Sequence, residues 1–185
     1  MSVAPGLRSA AVLTAQPMRH DEHALGADTA PVTLVMYGDY ESAACGPTHQ
    51  QVDRARIAFG DRLRFVYRHF AVTELHPHSQ QAAEAAEAAA SQGLFWQMHE
   101  RLLSDGGVLD AGRLVEHACE LGLDTNRFLR ELSGHIHAER VREDLRSGIR
   151  SGVGSAPALF INGDPFALGA MPGDALLDAV GRAMP

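Results

Sequence analysis

The sequence predicts an α/β fold built as strand, helix, strand, then a block of helices, then two strands and a closing helix. Three observations carry this. Two short β-branched or aromatic runs flank one helical stretch near the N-terminus, a long central region has helical periodicity without a strand, and a second pair of strand-like runs meets at an Asn-Gly turn.

The first strand is "PVTLVMY", Pro31 to Tyr37, an apolar run bounded by Pro31 and Gly38 that suits a buried strand better than a surface helix. After the turn "GDYESAACGPTHQ", residues Thr48, Val52, Ala55 and Phe59 recur at helical spacing, and Gly60 stands where a helix ends on a left-handed residue. "RLRFVYRHF" sets Leu63, Phe65 and Tyr67 against Arg64, Val66 and Arg68 and reads as the second strand. The central block has four apolar stripes. Ala82, Ala83, Ala86, Ala89 and Ala90 face away from Glu84 and Glu87; Phe95, Met98 and Leu102 follow, then Leu114, Val115, Ala118 and Leu121, then Val141, Leu145 and Ile149. "ALFI" (Ala158 to Ile161), the turn Asn162-Gly163 and "PFALGA" form a hairpin, with Pro165 at an edge or strand start. Leu176, Leu177, Val180 and Met184 make the last amphipathic helix, with Asp174 near its positive end.

At 185 residues the chain fits one domain that buries a real core. Residues 1–19, with Pro5, Gly6 and Pro17 and no sustained periodicity, read as a mobile arm. Residues 20–185 read as the domain, with the helical insertion at about 76–151. A net charge of -7, from 16 basic and 23 acidic residues without a basic run, argues against nucleic acid or an anionic membrane as partner. The stretch "AAVLTA" is too short for a secretory or membrane segment, and the two cysteines, Cys45 and Cys119, lie far apart. A reducing, cytoplasmic setting without a structural disulfide is expected. Cys119, at the border of a stripe, is expected in or near the core. Phe95 and Trp96 are expected to fill it as well. Of the ten histidines, the pairs His76/His78 and His135/His137 are the close ones, but no Cys/His quartet has zinc spacing, so no metal is expected.

The stretches "HDEHALGADTAPVTLVMYGDYESAACG", "FGDRLRFVYRHF", "HPHSQQAAEAAEAA" and "SGVGSAPALFINGD" appear in the order in which the DsbA-like thioredoxin family carries them. From about His20 to the C-terminus the sequence resembles that family, particularly its branch akin to domains fused to sodium/proton antiporters. The resemblance implies a thioredoxin fold with a helical subdomain between its halves. It also implies a thiol-disulfide exchange site in which a Cys-Pro-Tyr-Cys turn packs against a cis-proline. Ser42 falls on the first cysteine, Ala43 and Ala44 on the middle pair, Cys45 on the second, and Pro157, preceded by Ala156, on the cis-proline.

Dithiol exchange needs a thiolate at the helix N-terminus and a second thiol to resolve the mixed disulfide, and Ser42 supplies neither. The expected protein is a family member with its dithiol site degraded to Ser-Ala-Ala-Cys, unable to cycle a disulfide itself. Three roles are open to Ser42 and Cys45. Ser42 caps a helix that starts beside it, and Cys45 is an inert buried thiol. Alternatively the helix starts at Pro47, where proline is tolerated, and Cys45 is an exposed monothiol. In the third, Ser42 donates to the thiolate of bound glutathione, as in distant relatives of the family. The groove at Ala156 and Pro157 suits glutathione, a protein thiol or disulfide, or an extended peptide paired with the backbone.

Overall fold

The computed structural model describes residues 22–106, 108–167 and 174–185; the expected arm at 1–19 lies outside them. Its sheet has five strands: β1 (His23–Leu25), β2 (Val32–Gly38), β3 (Leu63–His69), β4 (Ala158–Ile161) and β5 (Asp164–Phe166). They lie in the order β1-β3-β2-β4-β5. β2 and β3 run parallel, Val32 opposite Leu63 through to Gly38 opposite His69, and the other three pairings are antiparallel. The Asn162-Gly163 turn closes β4 onto β5 with both residues at positive φ, 51° and 90°, as a two-residue hairpin requires. β1 is an element the sequence reading did not anticipate, three residues long and half-buried.

Helix α1 (Cys45–Phe59) connects β2 to β3. The insertion consists of α2 (Ser79–Ala90), α3 (Phe95–Asp105), α4 (Ala111–Glu120), α5 (Thr125–Ser133) and α6 (Ala138–Arg150), and α7 (Ala175–Ala183) ends the chain. Asp110 and Asp124 cap α4 and α5, accepting from the backbone N–H of Arg113 and Arg127 at 2.9 Å each.

Every residue of β3 is buried, so the alternation of Leu63, Phe65 and Tyr67 with Arg64, Val66 and Arg68 does not divide core from solvent. It divides two packed layers. Val32, Leu34, Met36, Leu63, Phe65 and Tyr67 join the larger core with α1, α2, α3 and α7 residues. Val35, Tyr37 and Val66 face a smaller core with Phe70, Val153 and Phe160. Arg68 is tolerated there because Glu22 takes its Nε at 3.1 Å and the Tyr37 hydroxyl accepts from Nη1 at 2.9 Å. On α2, Glu84 and Glu87 are not a solvated face but are buried with the alanines, which corrects the expectation. Small residues let neighbouring helices close in on all sides, and the two carboxylates are paired with histidines.

α6 comes close to the sheet at Gly148, where a Cβ would stand 2.6 Å from the Phe70 ring and 3.1 Å from that of Tyr37. Gly148→Ala is therefore expected to destabilise by about 1–3 kcal/mol, because the rings must shift in a filled layer. Gly154, whose added Cβ meets nothing within 4 Å, is the control. Thermal melts of the two alanine variants check this, with a lower midpoint expected only at position 148.

Candidate functional site

The turn between β2 and α1 is tied together by Asp39. Its Oδ1 accepts from the Glu41 N–H at 3.0 Å; its Oδ2 faces the Val72 N–H at 3.1 Å and His76 Nδ1 at 2.8 Å. Two successive backbone turns follow, Ser42 N–H to Asp39 O at 3.1 Å and Cys45 N–H to Ser42 O at 2.9 Å. The helix starts at Cys45, between the two registers considered from sequence, with Ala44 as its cap residue and no side-chain cap bond. Pro47 is then the third helical residue. An N–H at that position has no acceptor within the helix, so the proline deletes no hydrogen bond. The first helical hydrogen bond from this turn, Thr48 N–H to Ala44 O at 3.1 Å, forms one residue later. Gly46 is required because a Cβ there would stand 2.8 Å from the Leu103 carbonyl oxygen.

Ser42 does not cap this helix, which corrects that expectation. Its hydroxyl donates to the Ala156 carbonyl at 3.2 Å and so joins the turn to the loop before β4. The Ala156–Pro157 peptide is cis. The six residues singled out from sequence thus meet in one place. Ser42, Ala156 and Pro157 are half-buried, Ala43 and Ala44 are exposed, and Cys45 is buried. Beside Ser42 lies a cleft of about 300 Å³ walled by Tyr40, Ala43, Pro47 and Leu103. Beyond Pro157 a second hollow of about 260 Å³ is lined by Val153, Phe160 and Phe166.

Cys45 has no exposed surface, and its Sγ accepts from the Asp39 N–H at 3.4 Å. Burial pushes its thiol up to about 11; the Asp39 N–H and the Ser42 hydroxyl oppose this, and the Asp39 carboxylate adds to it. Cys119, expected near the core, is exposed and free. α4 turns Leu114 and Ala118 inward, and the next residue along the helix faces away.

Of the histidine pairs noted in the sequence, three rings are held by carboxylates. His76 pairs with Asp39, His135 with Glu84 at 3.0 Å and His137 with Glu131 at 2.8 Å. Four histidines that sequence reasoning missed lie together inside: His49, His69 and His99 are buried and His23 is half-buried. They surround Tyr40 and Tyr67 behind the turn. The Tyr40 hydroxyl contacts His99 Nδ1 at 3.0 Å, His99 Nε2 contacts His49 Nδ1 at 3.5 Å, and His49 Nε2 contacts Glu100 Oε1 at 2.8 Å. Burial, then the neighbouring His49, holds His99 well below the usual imidazole range. The four groups form one hydrogen-bonded chain between the Tyr40 hydroxyl and the Glu100 carboxylate. The sequence signals were weak, an i,i+4 His49/Asp53 pair and the adjacent His99-Glu100, because the cluster is assembled from distant elements.

The architecture matches that of solved thioredoxin-like proteins. A thioredoxin-like oxidoreductase from Silicibacter pomeroyi is 26% identical, with a TM-score of 0.78 over 89% of this chain and 93% of its own. Oxidised BdbD from Bacillus subtilis, 21% identical, superposes with a TM-score of 0.79 over 93% of this chain and 97% of its own, a likeness of fold. The molecule is of the thioredoxin-like class with a helical subdomain inserted between the halves of the fold. The profile described as DSBA-like thioredoxin domain matches residues 49–181, and the chain belongs to that family. That match begins four residues after Cys45. Among curated relatives, Na(+)/H(+) antiporter NhaA 1 of Salinispora arenicola is 42% identical over 77% of this chain, and NhaA 3 of Salinispora tropica is 38% identical over 87%. The chain spans only 22% and 26% of those proteins' lengths.

Because the folded Cys45 value lies above the ordinary cysteine value of about 8.5, its contribution to stability is complete below that pH and is lost as pH rises towards about 11. Between those values the wild type is expected to lose on the order of 2–3 kcal/mol more than Cys45→Ala does. Urea melts of both proteins across that range measure the difference, which also separates Cys45 from the buried tyrosines that ionise in alkali.

Proposed function

We propose that this domain keeps the partner-binding platform of a thiol-disulfide exchange protein and has lost the ability to cycle a disulfide itself. The observation that carries the reading is the division of labour at the turn. The half-buried position at the edge of the cleft holds a hydroxyl, Ser42, and the thiol, Cys45, is fully buried with its proton held on. A dithiol cycle oxidises two thiolates to one disulfide and returns two electrons to the partner. With one thiol at the turn, and Cys119 on α4, the turn has no second sulfur to close that bond. A monothiol mechanism at Cys45 is disfavoured by the same burial.

The platform suits an extended polypeptide. The backbone of the Ala156–Pro157 loop lies beside the two hollows, and the small side chains at Ala43, Ala44 and Ala156 let a partner backbone approach. A protein thiol or disulfide in such a peptide would lie over Ser42 without being attacked. Glutathione is the second ligand class. Its support is the place of Ser42 at the edge of a cleft and at the entry to a helix, where the helix dipole favours a bound thiolate and the hydroxyl, on leaving the Ala156 carbonyl, would donate to it. The two unpaired cysteines fit a reducing, cytoplasmic setting for this role.

Insulin reduction with glutathione or dithiothreitol as reductant tests the reading. The wild type is expected to proceed at the uncatalysed rate, and Ser42→Cys to raise it by about tenfold or more, since it restores a pair one helical turn apart. Fluorescence anisotropy with a labelled extended peptide is expected to show binding that Ala156→Arg abolishes, and competition by glutathione would identify the second ligand class. Wild-type turnover comparable to a dithiol relative would overturn the proposal.

A further inference from the structure

Behind the turn, at the C-terminal end of β3, His23 Nε2 lies 2.9 Å and His69 Nε2 lies 3.0 Å from the same oxygen, Glu87 Oε1. The three atoms are all within 4.8 Å of one another. We infer that His23, His69 and Glu87 form a binding site for a divalent transition-metal ion of the zinc class, held by two imidazoles and one carboxylate with a further position for water.

The donor set is the first argument. Two imidazole nitrogens and a carboxylate oxygen suit zinc and its neighbours better than magnesium or calcium, which take oxygen ligands. Ligand bonds of about 2.0–2.2 Å place tetrahedral donors about 3.3–3.5 Å apart, so each of the two nitrogen–oxygen distances, 2.9 and 3.0 Å, needs to open by only about half an ångström. Rigidity is the second. The ligands come from β1, β3 and α2, and each ring is fixed by packing. His23 stacks on Phe95 with centroids 3.3 Å apart and planes at 4°. His69 is boxed by Tyr40, Tyr67 and Phe95, with centroids 5.9, 5.5 and 6.1 Å away.

Burial is the third. The side chains of His69 and Glu87 are 1% and 7% exposed, while His23, at 13%, leaves a way in for an ion and a water. Among the described residues His69 Nδ1 is buried without a hydrogen-bond partner, so the polar group that orients this ring is the one its Nε2 faces. Charge is compatible. Arg140 is the competing cation, its Nε 3.8 Å from Glu87 Oε1, and its charge is engaged by Asp144. The other cluster, His49, His99 and Glu100, is committed to the hydrogen-bonded chain from Tyr40 and ends on an exposed carboxylate, so it serves as the control.

The test is titration of the EDTA-stripped full chain with zinc against a chromophoric chelator. One zinc per chain is expected, weakened by about tenfold or more in His23→Gln and in Glu87→Gln and unchanged in Glu100→Gln. Should Glu87→Gln unfold, long-range ¹H–¹⁵N spectra of the wild type decide alone, with zinc expected to shift Nε2 of His23 and His69. Absence of stoichiometric zinc, undiminished affinity in His23→Gln, or ring shifts confined to His49 and His99 would overturn the assignment.

Discussion

Desolvation of one thiol is the constraint on which the chemistry of this molecule depends. Cys45 is the first residue of α1, where the helix dipole and free N–H groups favour a thiolate. Its sulfur nevertheless points inward, into the core shared with Tyr40 and Tyr67, and burial outweighs those attractions. The same geometry leaves the outward position to Ser42, whose hydroxyl is spent on the Ala156 carbonyl. A structural hydrogen bond therefore ties the turn to the loop before β4.

The layer behind the turn is unusually polar for a core. Four histidines, two tyrosines and Glu87 fill the space between sheet and insertion. Buried polar groups are tolerated when paired, and here carboxylates and hydroxyls provide most partners. Glu87 shows the balance. Its folded carboxyl ionises more readily than an unfolded one, so its stabilisation is present above the ordinary carboxylate range and is lost only as acid approaches its depressed value. That carboxylate fixes α2 to β1 and β3, and through them the sheet that carries the turn.

Much of the fold was legible in the sequence because its signals are local. Strand runs, the Asn162-Gly163 turn and the helical stripes each sit within a window of a dozen residues, and the family's motifs fix their order. The turn residues that the resemblance aligns lie together in the fold, with Ser42 bonded to the loop of the cis Ala156–Pro157 peptide. What escaped depends on burial in three dimensions. The start of α1 was set by two backbone turns anchored on Asp39, not by a serine cap or by Pro47 at the first helical position. The outward turn of Cys119 depends on which side of α4 meets its neighbours. Glu84 and Glu87 looked like a solvated face because nothing local reveals that histidines from other elements cover them. The buried histidines share this cause, since His23, His69 and Glu87 are far apart in sequence.

The most direct measurement of the central claim is the alkylation rate of Cys45 by iodoacetamide, with Cys119→Ser removing the other thiol, as a function of pH and of low urea. A buried thiol reacts through opening of the structure, so the rate should be far below that of free cysteine at neutral pH, rise with urea well before global unfolding, and show no plateau below about pH 10. A fast, urea-independent reaction with a midpoint below about 8.5 would contradict the account and make Cys45 an exposed, activated thiol.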